Sequence, residues 1–326
     1  MPAAHNFWPG QATQAQRKQA RQNIVLEDVG ITKATLERYY TAVARLAPEI
    51  ADVSTEGELD ESIALWIQNE FEDGTPLYMV GDALSGLHHF EPFTRKKLPK
   101  SWRLYGIWRK FEIPCRAPPL TQDIVLALAG WCLSVDELTM SALILLGFHA
   151  LLRTGELLQI RPCDFILDDN RGLLSLPSSK SGVRNNTRES VSLHDPCTIE
   201  TVRAMLELKH QLGLHNLPCW EHSGSCFRGL FRRAVEALKL QQLGFRPYSL
   251  RRGGATYEMQ SHGLMERTLI RGRWRNSNIA RIYICDGLAL LPSLSMTLES
   301  KYSSTFINEH QAFAGGSRGK KRRKRI

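Results

Sequence analysis

Apolar side chains recur at helical spacing through the first part of the chain. Leu36, Val43 and Leu46 fall on one side of a helix predicted over residues 32–47, with Thr32 as its N-cap. The same spacing predicts helices over residues 59–71, 77–90 and 101–111, after a polar stretch at residues 1–20. This part of the chain is therefore expected to be a small all-α unit.

Three prolines interrupt this pattern within residues 113–120. A residue before proline avoids the helical region, so this segment predicts an extended linker and a domain boundary. Beyond it, the pattern predicts helices over residues 121–132, 136–152, 199–212, 224–239, 249–261 and 264–271, and strands over residues 165–167, 172–176 and 190–193. The predicted fold class is mainly α (α+β), with one small β-sheet.

Four regions follow from these patterns. They are a polar N-terminal tail at residues 1–20, a helical domain at 21–113, an α-rich domain with the small sheet at 114–300, and a basic C-terminal tail at 301–326. The length of 326 residues agrees with about two domains, at roughly 150 residues each. Hydrophobic residues make up 43% of the chain, which excludes whole-chain disorder.

The composition also excludes several classes of protein. No apolar run reaches the roughly 20 residues of a membrane span, and residues 1–10 have no signal-peptide pattern. Seven scattered cysteines form no disulfide framework, which favours a reducing compartment. The formal net charge of +9 favours a polyanionic partner, and nucleic acid is the usual one.

The charges are distributed unevenly. Residues 95–110 contain seven basic residues and no acidic one, with tryptophan and tyrosine between them, whereas residues 52–73 contain eight acidic residues and no basic one. This contrast predicts a polarised body with one face on DNA, although a solvated helix with its tryptophans in the core would show the same pattern. The tail at residues 320–325 is entirely basic, which indicates nuclear targeting, a nucleic-acid arm or a solubilising tail.

Four short motifs stand in a fixed order along the chain. They are residues 151–156 (LLRTGE), 179–182 (SKSG), 248–256 (YSLRRGGAT) and 272–274 (GRW), the last followed by Tyr283. Their order and spacing resemble the tyrosine recombinase (phage integrase) family, in particular a eukaryotic mobile-element-like member. The resemblance covers about residues 30–290 and implies a helical core-binding domain and an α-rich catalytic domain that together clamp double-stranded DNA.

The resemblance also implies roles for individual residues. Arg153 and Arg251 match the two catalytic arginines, Glu156 the acidic residue that supports the first, and Lys180 the hairpin lysine that protonates the leaving 5′ oxygen. Trp274 matches a position that the family fills with His or Trp, and Tyr283 matches the nucleophile. Two guanidiniums suit this chemistry, because planar forks bind the oxygens of a phosphodiester that gains charge under attack.

Each of these residues also has a plainer interpretation. Arg153 is expected to end the helix at 136–152 just before Gly155, a helix stop, so it could simply balance the helix dipole. Lys180 could be an exposed turn lysine, and Trp274 and Tyr283 could be core aromatics. Glu156 is expected to open the next short helix, where a carboxylate is favoured in any case.

The spacing of Trp274 and Tyr283 limits the helix geometry that would let both face a phosphate. They are nine residues apart, which on a continuous helix would put them on opposite faces. If both face a phosphate, the helix must break between them, and residues 276–278 (NSN) offer the break.

One position departs from the family. Tyr248 stands where the family usually has His, three residues before Arg251. Its hydroxyl shares a helix face with Arg251 and can donate to the phosphate, but a phenol is a poor general base at neutral pH.

We expect five basic residues of the helical domain to contact DNA: Arg95, Lys96, Lys97, Lys100 and Arg103. Arg252 is expected to be a further phosphate contact or a structural contact.

The implied function is site-specific DNA recombination through a 3′-phosphotyrosine, without metal or other cofactor, by a homotetramer on double-stranded DNA and away from membranes. The alternative is a catalytically inactive DNA-binding protein derived from a recombinase. A type IB topoisomerase shares the chemistry but not the two-domain outline. The expected location is the nucleus for a eukaryotic protein and the cytoplasm otherwise.

His215, Cys219, His222 and Cys226 resemble a zinc site only in composition, since their spacing is not a standard one.

Overall fold

The computed structural model describes residues 13–23, 30–112, 114–176, 182, 188–285 and 287. The chain divides into two compact units between Cys115 and Arg116, within the proline-rich segment at residues 113–120. We call them the N-terminal unit and the C-terminal unit. Among the described residues, no helix combines the length and apolar character that a bilayer span requires.

The described part of the N-terminal unit is all α. Thr32 and Thr55 begin two of its helices by accepting hydrogen bonds from backbone N–H groups three residues ahead. Its core centres on Ile63, Trp66 and Leu84. The four helices predicted here are confirmed, and a short helix precedes them: α1 (Gln14–Arg21), α2 (Lys33–Leu46), α3 (Glu56–Glu72), α4 (Leu77–Phe90) and α5 (Pro99–Phe111).

The acidic and basic runs of this unit lie against each other. Lys97 and Lys100 form ion pairs with Glu56 and Glu61 of α3. The carboxylate of Asp60 also accepts hydrogen bonds from the first turn of α5. The expectation that the two runs polarise the body does not hold at these two lysines, because packing of α3 on α5 brings opposite charges together. Their contact with DNA stays a prediction.

The other basic candidates of this unit are arranged differently. Arg95, Lys96 and Arg103 are exposed, and no described residue forms an ion pair with them. They therefore keep their full positive charge towards solvent.

The C-terminal unit is built around two helices that are apolar on nearly all sides. Such helices are stable only when neighbours cover them, and here sheet and helices do so around one large core. The helices are α6 (Gln122–Ser134), α7 (Leu138–His149), α8 (Thr154–Leu157), α9 (Pro196–Gln211), α10 (Gly224–Ala237), α11 (Tyr248–His262), α12 (Met265–Gly272) and α13 (Ser277–Arg281).

The prediction for α7 is wrong at its C-terminal end. The helix stops at His149 rather than continuing to residue 152, and Leu151 takes a left-handed conformation with φ of 50°. Leu151 and Leu152 remain buried after the helix has ended. Hydrophobic pattern alone could not mark this end, because the turn is as apolar as the helix.

The predicted strands are confirmed as a three-stranded antiparallel sheet. They are β1 (Phe165–Leu167), β2 (Gly172–Leu176) and β3 (Glu189–Leu193), with β2 in the middle. Leu174 of β2 pairs with Phe165 on one side and Val191 on the other, and all three side chains are buried. This face of the sheet therefore covers the core.

Two adjacent glycines allow α11 to approach the core backbone very closely. A Cβ atom on Gly253 would lie 2.1 Å from the carbonyl oxygen of Leu120, and one on Gly254 would lie 2.0 Å from that of Phe148. Any larger residue would push α11 away from the end of α7. The glycine pair thus positions the preceding Arg251 beside the turn that follows α7.

Candidate active site

The first motif forms a tight turn and a short helix. Arg153 has an extended backbone and precedes α8, and Gly155 lies inside α8 rather than acting as a helix stop. Arg153 is therefore not at the C-terminus of the apolar helix, which removes the helix-dipole interpretation of its role. Glu156 accepts hydrogen bonds from the backbone N–H of Arg153 at 2.8 Å and from its Nη1 at 2.7 Å.

Arg251 is fully buried against this turn, with its side chain 0% exposed. Its Nη1 donates to the carbonyl oxygen of Leu151 at 2.5 Å, and its Nη2 donates to that of Gly272 at 2.7 Å. Burial and the nearby charge of Arg153 lower the pKa of Arg251, but a guanidinium stays protonated at neutral pH. The two proposed catalytic arginines thus lie at one site.

Trp274 and Tyr283 cover the Arg251 guanidinium. The guanidinium carbon lies 5.1 Å from the Trp274 ring centre and 5.3 Å from that of Tyr283. The two ring centres are 4.6 Å apart. The chain breaks between them as predicted, because Asn276 caps the short helix α13. Gly272 leaves room for the indole, since a Cβ atom there would lie 2.0 Å from Trp274 Cζ3.

Tyr248 begins α11 and faces the proposed nucleophile. Its ring centre lies 5.7 Å from that of Tyr283, and the residue is 38% exposed. Burial, together with its interaction with the Tyr283 hydroxyl, raises the pKa of Tyr248 well above its usual range. Tyr248 therefore stays neutral and can donate to the Tyr283 hydroxyl. Its predicted donation to a phosphate stays a prediction.

The pKa of Tyr283 is shifted in the opposite direction to that of Tyr248. Burial raises its pKa, but the Tyr248 hydroxyl and the guanidiniums of Arg251 and Arg153 outweigh burial, so the pKa of Tyr283 lies below its usual value. A phenol attacks phosphorus as its phenolate, and surrounding positive charge stabilises that form. The position assigned to the nucleophile thus has the electrostatics that a nucleophile needs.

Two residues that the sequence analysis did not single out complete the site. Arg273 donates to Glu156 Oε2 at 2.8 Å, and its Nε lies 3.6 Å from a carboxylate oxygen of Glu189. Burial raises the pKa of Glu156, but Arg273, Arg153 and Arg251 outweigh it and hold the carboxylate ionised. The only signal for Arg273 was its place beside Trp274.

Three other predictions from the sequence are Lys180, Arg252 and the group of cysteines and histidines at residues 215–226. Lys180 lies outside the described residues. Arg252 is 3% exposed and its Nη2 contacts Cys285 Sγ, so the structure gives it a structural contact within the unit. Among the described residues, no group of three metal-ligating side chains is suitably placed for an ion, and this includes the cysteines and histidines at residues 215–226.

No protein-family model and no curated protein matches the sequence. Solved structures do match the fold. The Tn1549 transposon integrase in complex with transposon right-end DNA has a TM-score of 0.59 and 11% identity, over 86% of this chain and 98% of that chain. A lambda integrase tetramer bound to a Holliday junction has a TM-score of 0.53 and 16% identity, over 87% and 84%.

A third structure is XerH site-specific recombinase bound to palindromic difH substrate in a post-cleavage complex. It has a TM-score of 0.53 and 14% identity, over 86% of this chain and 83% of that chain. All three similarities extend over most of both chains. The mainly α architecture, the small antiparallel sheet and these matches agree, and the chain therefore has the fold of the tyrosine recombinases and integrases.

Proposed function

We propose that this protein breaks and rejoins DNA strands in site-specific recombination, with Tyr283 as the nucleophile. The observation that carries the proposal is the arrangement of Tyr283 and Trp274 over the guanidinium of Arg251, with Arg153 beside it. Residues distant in sequence converge at one site, and their charges favour the phenolate of Tyr283. Core packing of aromatic residues would not require arginines at this point.

In the proposed reaction, Tyr283 first loses its hydroxyl proton to solvent, and its phenolate oxygen then attacks a DNA phosphorus while the bond from phosphorus to the 5′ oxygen breaks. The products are a 3′-phosphotyrosine and a 5′ hydroxyl, which takes up a proton that the resemblance assigns to Lys180. A 5′ hydroxyl from another strand then attacks the phosphotyrosine and releases Tyr283. The number of phosphoester bonds is conserved, so the chemistry needs no external energy source.

The described residues supply the donors for the phosphate. Arg153 is the accessible guanidinium, since its side chain is 27% exposed. The buried Nε of Arg251 has no hydrogen-bond acceptor among the described residues. Buried donors are normally satisfied, so a phosphate oxygen is a suitable missing acceptor.

The test is incubation with nicked suicide DNA substrates, which trap a covalent protein–DNA adduct. Wild-type protein should form the adduct, and Tyr283→Phe should form none while binding DNA nearly as well, because phosphate contacts dominate such interfaces. Adduct formation by Tyr283→Phe would show that another residue is the nucleophile.

A second candidate function is DNA binding without catalysis. Tyr248 in place of His favours it, as does the complete burial of Arg251 beneath two aromatic rings. A protein of this kind would bind DNA and form no adduct on any nicked substrate. Tyr248→His separates the two candidates, because an imidazole titrates near neutral pH and could restore a weak site but not an absent one.

The proposal includes double-stranded DNA as partner and a tetramer as the active assembly, by analogy with the lambda integrase tetramer on a Holliday junction. It also includes nuclear targeting by the basic tail in a eukaryotic cell. A reporter fused to the full chain should enter nuclei, and the same fusion truncated after Gly316, which removes seven positive charges, should not. Equal nuclear accumulation of both would contradict targeting by the tail.

A further inference from the structure

Arg273 has a backbone conformation that its residue type disfavours. It follows α12 in the left-handed region, with φ of 55° and ψ of 44°, where helices usually have glycine. A side chain in this region is strained, because its Cβ atom lies close to the following carbonyl oxygen. The side chain of Arg273 is only 6% exposed, so its guanidinium is directed into the protein rather than towards solvent.

The buried guanidinium of Arg273 connects three segments of the site. Its Nη2 donates to Glu156 at 2.8 Å and to the carbonyl oxygen of Leu151 at 3.3 Å. The same Leu151 carbonyl accepts from Arg251 at 2.5 Å. Glu189 of β3 lies 3.6 Å from Nε of Arg273. Arg273 thus ties the turn after α7 and the strand β3 to the residue immediately before Trp274.

Without Arg273, the negative charge of Glu156 would act more strongly on Arg153 and Arg251. Its carboxylate binds Arg153 at 2.7 Å and lies 3.7 Å from Nη1 of Arg251. Both guanidiniums are proposed to bind phosphate, and an unbalanced carboxylate between them would compete with the phosphate for their charge. Arg273 offsets that negative charge at Oε2 of Glu156, the carboxylate oxygen that also lies nearest to Arg251.

We propose that Arg273 is a positioning residue of the proposed strand-breaking reaction, which holds and neutralises Glu156 so that Arg153 and Arg251 act on the phosphate and on Tyr283. This inference rests on the proposed function for its catalytic part. The predicted effect of Arg273 on the pKa of Tyr283 can be tested without DNA, because Arg251 and Arg153 already lower that pKa in the free protein.

The first measurement is the rate of adduct formation at saturating nicked DNA. Arg273→Gln should slow it about 10- to 100-fold, the range expected for coupling between touching groups. In a Glu156→Gln background the same substitution should cost much less, because the charge that Arg273 offsets is then absent. Arg273→Lys keeps one donor for Glu156 and should recover most of the rate. Arg275→Gln removes an equal charge from an exposed position and is the matched control.

The second measurement needs no DNA. In a Tyr248→Phe background, the ultraviolet difference spectrum between each protein and its Tyr283→Phe derivative reports the ionisation of Tyr283 without the coupled titration of Tyr248. Arg273→Gln should move this titration to higher pH, since Glu156 then offsets more of the charge of Arg251 and Arg153. The groups that carry or exchange charge around Tyr283 among the described residues are Tyr248, Arg251 and Arg153.

The two measurements separate this inference from the proposed function. If wild-type protein forms no adduct, strand breaking fails, and the titration still decides the role of Arg273. If Arg273→Gln matches the wild type in both measurements, or slows cleavage equally with and without Glu156, the positioning role is overturned. Should Arg273→Gln not fold, the Arg273→Lys titration and rate decide in its place: wild-type values support the role, and losses as large as those of Tyr283→Phe contradict it.

Discussion

The basic run of the N-terminal unit and the candidate site of the C-terminal unit differ in how far their ion pairs are exposed to solvent. In the N-terminal unit, Lys97 and Lys100 each pair with one glutamate, and these side chains are 37–65% exposed. In the C-terminal unit, Glu156 lies against Arg153, Arg251 and Arg273, and the carboxylate and two of the arginines are at most 6% exposed.

This difference indicates where an anion would be bound. Water and salt screen the charges of the exposed pairs, so those pairs contribute little to the stability of the fold and other residues could replace them. A buried cluster with more cations than carboxylates lacks that option, and its remaining charge must be balanced by a ligand or by neighbouring dipoles. The carbonyls of Leu151 and Gly272 and the faces of two aromatic rings now take that role.

The largest expected effect is on catalysis at the buried cluster. Arg251→Ala should slow adduct formation on nicked DNA by about 10³-fold, because the charge that develops on the phosphate loses its planar donor. The control is Arg38→Ala, which removes an exposed arginine of the N-terminal unit that is 60% exposed and paired with Asp82. Equal rates for the two variants at saturating DNA would show that the buried cluster has no catalytic role.

The next effect is on stability. Glu156→Gln should lower the free energy of unfolding by about 3 kcal/mol, since it leaves buried guanidiniums without their shared carboxylate. Glu61→Gln, in an exposed pair, should cost about 1 kcal/mol or less. Urea unfolding of both variants measures the difference, and equal losses would contradict the contrast between the two units.

The Glu156 effect has a defined dependence on pH. The pKa of Glu156 in the folded protein is below its ordinary value, so its contribution is fully present above the unfolded pKa. The contribution is lost as the pH falls through the folded pKa. The gap in stability between wild type and Glu156→Gln should therefore be constant near neutral pH and should narrow only in acid.

The third effect concerns the pair Tyr248 and Tyr283. Tyr248→Phe should shift the pH dependence of adduct formation to higher pH, because the pKa of Tyr283 loses one of the interactions that lower it. Tyr248→His should keep or raise the rate at neutral pH. Rates measured across the alkaline range give the comparison, and an unchanged profile in Tyr248→Phe would show that its hydroxyl does not act on Tyr283.

The sequence was sufficient for much of the fold. Helical spacing located α2 to α5, because one face of each helix lies on a core, and short apolar runs joined by a turn located β1 and β2. It did not locate the end of α7, where buried leucines continue past the helix. Turns of this kind are set by left-handed residues such as Leu151, and leucine carries no signal for that conformation.

The site was predictable only in part for a related reason. The motifs supplied Arg153, Arg251, Trp274 and Tyr283, and the break at Asn276 followed from their spacing. Arg273 was missed because its importance comes from Glu156 and Leu151, which lie more than a hundred residues earlier. Likewise, the pairing of Lys97 and Lys100 with α3 depends on helix packing that charge counting along the chain does not capture.

The smallest expected effect sharpens the comparison within the N-terminal unit. Replacing Arg95, Lys96 and Arg103 by Gln should weaken DNA binding across sequences and flatten its salt dependence by up to about 0.9 for each DNA phosphate that is no longer neutralised. Replacing Lys97 and Lys100 should flatten it less per residue, because Glu56 and Glu61 already offset their charge. Titrations of one DNA duplex at several salt concentrations measure both slopes. Equal change per residue would mean that DNA displaces the glutamates, and no change in either variant would remove residues 95–110 from the DNA interface.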